Sequence, residues 1–459
     1  MGAEAPIEHD MSWPVVSLSE IATKIGSGAT PKGGADVYLP SRSRFAFVRS
    51  QNVFDRRFDQ TGLAFITDEQ ANGLRGVILE AKDILLNITG DGITFGRACM
   101  VPEDLLPACV NQHVSIIRLD SQHADAGYVL AFLNHPEVKS YMESFNAGGS
   151  RRAMTKGHIE SFRLPLPPIQ EQRAIAHILG TLDDKIDLNR RMNETLEAIA
   201  KVLFKSWFVE FDPVHAKSKG RELDLPRHFA DLFPDSFQDS ELGEIPKGWQ
   251  VLPLAECVDV ARGLSYKGSG LSGSGVPMHN LNSIYEGGGY KHEGIKYYVG
   301  DHKPHHCARA GDLIVANTEQ GHSRLLIGYA AIVPTQFDGE SIFSHHIYRV
   351  RPKLSSALTA TYLCQLLNTS VMHDTVSGYA NGTTVNMLPL DGLQRPLIAV
   401  PPAVLVRAFD DFVVAARKRH GEMQGECRTL SALRDNLLPK LISGELRSSG
   451  IASFLELQP

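Results

Sequence analysis

The sequence is written twice. SRFAFVRSQNVF (43–54) answers to GVPMHNLNSIY (275–285), pairing Asn52 with Asn282, and EAKDILLNITGDG (80–92) answers to RAGDLIVANTEQG (309–321), pairing Asp83 with Asp312. His113 and His346 follow in VNQHVSIIRL and FSHHIYRVRP, then Tyr128 and Tyr362 in YVLAFLN and YLCQLLN, at an offset that stays near 230. A repeat of that length is domain-sized, so the 459 residues divide into two similar domains. Within each copy, short apolar runs such as ILLNI, VSIIRL, LIVAN, IGYAAIV and IYRV alternate with glycine turns, and a helix is expected at 126–143 and again at 358–370. Each copy is therefore a mixed α+β domain.

Both copies end in a glycine-rich stretch, FNAGGSRRAMTKGHIESFRLPLPP (145–168) and GYANGTTVNMLPLDGLQRPLIAVPP (378–402), that runs into a Pro-Pro pair. Proline is favoured just inside a helix start because its missing N–H would be unpaired there. Beyond the first pair, Ile175, Ile178, Leu179, Leu182, Ile186, Met192, Leu196, Ile199 and Leu203 form a stripe at steps of three and four, interrupted by Asn189. Such a stripe needs a partner, and a lone polar residue within it fixes register. The second pair opens a matching stripe, Leu405, Phe409, Phe412, Met423, Leu430, Leu433, Leu437 and Leu441, with Gly421 and Gly425 weakening its middle. The expected fold is two similar domains joined by two long helices packed as an antiparallel coiled coil with a pseudo-two-fold internal repeat. The boundaries are 1–165, a helix over 166–212, a Pro-, Asp- and Ser-rich linker with one short helix over 213–245, a second domain over 246–398, a second helix over 399–446 and a tail over 447–459.

Composition bounds the chemistry. No apolar run approaches the ~20 residues that span a bilayer, and the start, MGAEAPIEHDMSW, lacks a secretory h-region, so a cytoplasmic location is expected. Six cysteines without a C-x-x-C spacing argue for neither a disulfide framework nor a zinc site. A net charge of -6 speaks against a general nucleic-acid coat, so any DNA binding is local. LPPIQ and VPPAV lack the Asn or Asp of a methyltransferase N-P-P-[FYW] loop, GDGITFG misses the G-x-G-x-x-G spacing, and no phosphate loop occurs. Asp68 with Glu80 and Lys82 has a nuclease-like spacing, but the second copy carries Arg309 and Gly311 in the places of Glu80 and Lys82, and a surface charge pair explains these residues as well.

Basic residues cluster where the domains face a ligand. The first copy offers Arg42, Arg44, Arg49, Arg56 and Arg57, then Ser150, Arg151, Arg152 and Lys156 beside two glycines. The second offers Lys291, Lys296, His302, Lys303, His305 and His306, then Asn381, Thr383 and Thr384. Arginine can take guanine O6 and N7 together, and hydroxyls and amides donate to phosphate or base. His302, His305, His306 and Cys307 also suit zinc, but without a second compact ligand pair the sequence favours a donor-rich, DNA-facing loop. Catalytic, cofactor-binding and metal residues are not expected.

LPLPPIQEQRAIAHILGTLDDKID followed by LFKSWFVEFDPV, ELGEIPKGW opening the second half, the GDLI-type turn of each half and NLLPKLISGEL near the end together resemble the specificity subunits of type I restriction-modification systems. The resemblance covers nearly the whole chain. It implies a non-catalytic subunit whose two target recognition domains each read one half of a split, asymmetric DNA sequence, held apart by helices that also dock the methyltransferase. Two methyltransferase subunits carrying S-adenosylmethionine and motor-nuclease restriction subunits using ATP and Mg²⁺ are the implied partners, with no cofactor on this chain. Phe204, Trp207, Phe208 and Phe211 are expected on the outer faces of the helices as docking surface. The second helix departs from the pattern in losing the Gln-Glu-Gln element of PPIQEQ, which would make the two docking faces unequal. Two rival readings stand beside this one: a metal-dependent nuclease, and an assembly scaffold that does not read DNA.

Overall fold

A computed structural model describes residues 12–39, 41–90, 93–145, 152–223, 225–320, 324–337, 339–382 and 385–447. The chain falls into two compact units, Met1–Met192 with Glu422–Pro459, and Asn193–Gly421. Each unit takes one domain and half of each long helix.

The first unit is built on a four-stranded antiparallel sheet ordered Ala22–Ser27, Val114–Leu119, Ile84–Asn87, Ala98–Met100. Ile84, Leu86 and Ile117 share one core with Tyr128, Phe132 and Leu133 of the helix Ala126–Leu133 and with Ile175, Leu179, Leu438 and Leu441 of the long helices. Leu85 and Ile116 share a second core with a smaller sheet, Ala108–Val110, Phe45–Val48, Ala64–Ile66. The two central strands are thus buried on both faces, which is why they read as near-continuous apolar runs rather than as alternating ones. Each large side chain so buried stabilises the unit by roughly 1.5–3 kcal/mol relative to exposure.

The second unit repeats this topology. Its sheet runs Val258–Arg262, Ile347–Pro352, Leu313–Ala316, Ala330–Ile332, beside a five-stranded sheet that again contains a parallel pair, Val276–His279 with Ser341–Phe343. The pairing of Asp83 with Asp312 holds in detail. Asp83 takes Nε and Nη2 of Arg118, both at 2.8 Å, and Asp312 takes the same atoms of Arg351, both at 2.6 Å. Each aspartate also closes its turn by accepting a backbone N–H, from Glu80 and from Arg309, at 2.8 Å. The pairing of Asn52 with Asn282 is off by one. Asn52 accepts the Arg49 N–H at 3.1 Å, and the residue doing the same for Asn280, also at 3.1 Å, is Ser283.

In the first copy two helices, Ala126–Leu133 and Pro136–Ser144, stand where one was expected, and in the second Ala360–Leu367 fills the expected range with a further helix, Ser370–Gly378, after it. Pro136 disfavours helix at His135, whose ring instead caps the next helix by accepting the Glu137 N–H at 3.2 Å. The segment 213–245 is also more than a linker. It holds the helices Asp212–Ser218 and Arg227–Ala230 and the strand pair Phe237–Gln238 with Ile245–Pro246, and it inserts Val214, Phe233 and Ile245 into the core of the second unit.

The long helices run Ile169–Phe208 and Ala403–Ser443, the first spanning ~60 Å at ~1.5 Å per residue. In the first unit Asp183 meets Arg434 and Ile186 accepts from the Cys427 thiol. In the second, Glu197 meets His420 and the Phe204 ring lies 5.5 Å from Phe409. In both units rising numbers on one helix meet falling numbers on the other, so the pairing is antiparallel. Ile175, Leu179, Ile186 and Asn189 are buried as the stripe requires, but Met192 and Ile199 are exposed and Ala200 is buried instead. The buried seam follows the strict heptad through Ala200, and the two larger side chains fall one step outside it.

Candidate nucleic-acid interface

Each unit carries a two-stranded antiparallel ribbon that joins the turn after the central strand to the glycine-rich stretch near the domain's end. In the first, Arg152 stands opposite Gly90 and Ala153 opposite Thr89; in the second, Thr318–Gln320 pairs with Val385–Met387. The base of each ribbon is fixed by the same hydrogen bond. Thr89 Oγ1 lies 2.7 Å from His113 Nδ1, and Thr318 Oγ1 lies 2.9 Å from His346 Nδ1. Burial, then the neighbouring His345, pushes the His346 pKa down, which favours a neutral ring that can take part in this bond without charge. Thr89 and Thr318 were not singled out by the sequence, although the recurrence of a histidine at 113 and 346 marked the place.

Of the candidates beside these ribbons, Arg152 is half-buried and pairs with Glu143 at 3.3 Å, and Lys156 is exposed, 3.4 Å from Glu160. Asn381 is exposed and exchanges backbone hydrogen bonds with Met387. Ser150, Arg151, Thr383 and Thr384 lie outside the described residues.

A second basic cluster rises from the small sheet of the first unit. Arg42 and Arg44 are exposed and line one shallow hollow with Gln60 and Phe65; Arg44 also pairs with Asp68 at 3.1 Å. Arg49 folds over the Tyr38 ring, and Arg57 over the Phe54 ring at 4.7 Å, where Arg97, absent from the sequence-based set, joins it at 4.4 Å. Arg56 does not belong with them. Its backbone is left-handed (φ 62°), and its guanidinium is largely withdrawn from solvent, donating to the Asn134 carbonyl at 3.2 Å and standing 3.9 Å from Asp183 of the long helix. Burial, then Arg434, pushes its pKa down. Arg56 ties the domain to the helices and is unavailable to a ligand.

In the second unit Lys291 lies over the Tyr285 ring, Lys296 is on the strand Lys296–Tyr298, and Lys303 and His305 are exposed. His306 accepts the Lys303 N–H at 3.3 Å, and its pKa is lowered by burial and then by His305 and Lys303. His302 pairs with Glu340 at 2.8 Å, and Cys307 joins them to make a group whose ligating atoms lie within 4.8 Å of one another. Glu340 is 33 residues from Cys307 in sequence, so proximity along the chain had no access to it.

The nuclease-like residues do not converge. Asp68 holds Arg44, and Glu80 holds Arg118. The proposed docking aromatics are corrected as well: Phe204, Trp207 and Phe208 are buried, packed among Phe409, Tyr362, Phe233 and Trp249, and Phe211 stacks edge-on against Trp249. Their apolar surface is spent inside the second unit, Phe204 and Phe208 on Tyr362 and Phe409, and Trp207 on Phe233 of the 213–245 segment. The last residue of the Gln-Glu-Gln element is internal too, while Gln170 is exposed. Gln172 is buried, accepting from Asp125 N and donating to the His123 and Pro167 carbonyls, and the second helix places the buried, apolar Val406 at the corresponding position.

Two α+β units of one topology, each with a histidine-anchored ribbon, define a duplicated α+β scaffold. Residues 12–198 match the family described as the type I restriction modification DNA specificity domain. The chain is thus similar, over its first part by the family match and over most of its length by its relatives, to the specificity subunits of type I restriction-modification systems. It is 24% identical over 334 residues to the type I restriction enzyme MjaIX specificity subunit of Methanocaldococcus jannaschii, covering 70% of this chain and 69% of that one. It is 24% identical over 455 residues to the HindI specificity subunit of Haemophilus influenzae, covering 87% and 94%. The crystal structure of a type I S subunit from M. genitalium shares the fold, with a TM-score of 0.56 at 13% identity over 96% of this chain and 99% of that one. Among the described residues no helix is long and apolar enough to cross a membrane.

Proposed function

We propose that the chain is the non-catalytic subunit that reads a split, asymmetric DNA sequence, one half-site per unit, for a cytoplasmic restriction-modification complex. The observation that carries this reading is the duplication of topology without duplication of the basic faces: arginines on the first unit, lysines and histidines on the second. Different donors at equivalent places read different bases, so the two half-sites differ. The partners are double-stranded DNA, two methyltransferase subunits that bring S-adenosylmethionine, and restriction subunits that bring ATP and Mg²⁺; this chain holds none of those cofactors. With the aromatics buried, the exposed large apolar residues left for a partner on the long helices are Leu188, Met192, Ile199 and Val202 on the first and Val404, Val414 and Leu433 on the second.

The test is methylation mapping in cells that express the chain with its methyltransferase. A methylated motif of two unlike half-sites at a fixed gap is expected, and replacing the second unit's domain by one from a relative should change one half-site only. A continuous motif, or methylation independent of this chain, overturns the reading. Cleavage by the purified chain with Mg²⁺ alone would favour the nuclease, which the pairing of Asp68 and Glu80 with arginines disfavours.

A further inference from the structure

We propose that the second unit carries a zinc site formed by His302, Cys307 and Glu340. Their ligating atoms lie within 4.8 Å of one another, and His302 Nε2 stands 2.8 Å from Glu340 Oε1. Two ligands held ~2.0 Å from one tetrahedral zinc sit roughly 3.3 Å apart, so the carboxylate moves outward by about half an ångström, and the Cys307 sulfur closes to roughly 3.5 Å from both, to admit the ion. Glu340 is the more exposed of the pair, with 63% of its side chain accessible against 17% for His302, and has the freedom to make that movement.

The sheet holds the group in place. Cys307 opens the strand Cys307–Ala308, which pairs antiparallel with Ser341–Phe343 so that Cys307 faces Ile342, and Glu340 immediately precedes that partner strand. The short helical turn Pro304–His306 carries the chain from His302 to Cys307. Backbone register therefore makes neighbours of residues far apart in sequence.

The first unit separates ligation from folding. There Ile78 bridges to Cys109 as Cys307 pairs with Ile342, which puts Ile78 in the place of Cys307 and Pro107 in the place of Glu340. The same topology forms with apolar residues at both positions, so the fold does not require an imidazole, a thiol and a carboxylate here. A nitrogen, a sulfur and an oxygen donor together suit zinc and not magnesium or calcium, which take oxygen alone. Three protein ligands leave a fourth position for water. On binding, Cys307 gives up its thiol proton and His302 offers the Nε2 lone pair; one proton is released and nothing is oxidised or reduced. The bound ion pins the loop that carries Lys303, His305, His306 and Arg309 to the sheet.

The experiment uses the full chain, stripped with a chelator and reloaded separately with Zn²⁺ and Co²⁺. One equivalent of zinc should be retained after dialysis, and the cobalt form should show a thiolate-to-metal charge-transfer band. Cys307→Ala and His302→Ala should weaken zinc by more than the ~10–100-fold typical of losing an outer-shell partner, and Cys307→Ala should abolish the band. Cys307→Ser reads the same loss should the alanine variant not fold. His305→Ala, at an exposed neighbour, should keep both metal and band. A wild-type chain that retains no stoichiometric zinc, or metal binding and a band that survive Cys307→Ala and His302→Ala, overturns the proposal.

Discussion

Asn189 on the first long helix donates its amide to Glu426 of the second at 2.9 Å, with the Lys185 ammonium 3.6 Å from the other oxygen of the same carboxylate. Asn189 is 1% exposed, so its amide has no water to fall back on. Only one register of the two helices satisfies it. Replacing Glu426 by Ala should cost ~1–3 kcal/mol, the penalty for a buried donor left unpaired, read from the urea midpoint of the full chain. Replacing Asn189 by Leu should cost less while loosening register. A Glu426→Ala variant as stable as wild type would show that the bond does not hold the seam.

The second unit should weaken in mild acid. His279 is buried between the Tyr290 hydroxyl, 2.8 Å from Nδ1, and Ser341 Oγ, 3.1 Å from Nε2, and burial pushes its pKa down to about 4. The fold therefore favours the neutral ring. Its contribution is complete above the unfolded value near 6.5 and is lost as pH falls from there towards 4, by up to roughly 3 kcal/mol. His135, held down to about 4 by burial and then by Arg56, acts in the same window in the first unit. Denaturation of wild type and His279→Gln between pH 7.5 and 4.5 should give the variant the shallower dependence. Parallel curves would remove His279 from the account.

Arg44 and Arg56, twelve residues apart, should fail differently. Arg44→Ala should leave stability unchanged and lower the salt slope of DNA binding by the assembled complex by ~1, as for the loss of one phosphate contact. Arg56→Ala should instead destabilise the first unit by ~1–3 kcal/mol, since it removes a charged, largely desolvated donor from the Asn134 carbonyl. Equal effects on salt slope would place Arg56 at the ligand after all.

If the long helices set the gap between half-sites, lengthening both should lengthen the gap. Four residues inserted after Ala198 and four after Lys418 add one turn, ~6 Å, to each helix near the Glu197 and His420 contact. Methylation mapping should then find the same half-sites one or two base pairs further apart, at ~3.4 Å per step. Insertions of two residues rotate the seam by ~200° and should abolish methylation. An unchanged gap after the four-residue insertions would mean that the helices do not set it.

The duplication and the long helices were legible because both are periodic: a 230-residue echo and a heptad survive without knowledge of any contact. The Asp83 and Asp312 turns were legible because a single aspartate closes each turn locally. Arg56 was misread because an arginine among arginines looks like a ligand-facing patch, and only the left-handed backbone at that residue turns it inwards. Phe204, Trp207 and Phe208 were misread because their partners, Tyr362, Phe409, Trp249 and Phe233, lie 25 or more residues away in sequence, and no local spacing brings them together. Glu340 was missed because its neighbours in space come from strand register, which no local spacing encodes.

In each unit the strand that leads in and the strand that leads out are hydrogen-bonded neighbours: Val15–Ser17 with Arg163–Pro165, and Gln250–Pro253 with Leu397–Val400. The chain therefore enters and leaves each domain through one doorway. Everything between the two strands, about 150 residues in each case, is an interchangeable cassette in the genetic sense. A pair of crossovers, one in each strand, would exchange a whole domain while the helix that follows keeps its own sequence and partners. Such an exchange would keep each core together, because the core lies mainly between the two doorway strands and is completed by the helices and, in the second unit, by the 213–245 segment.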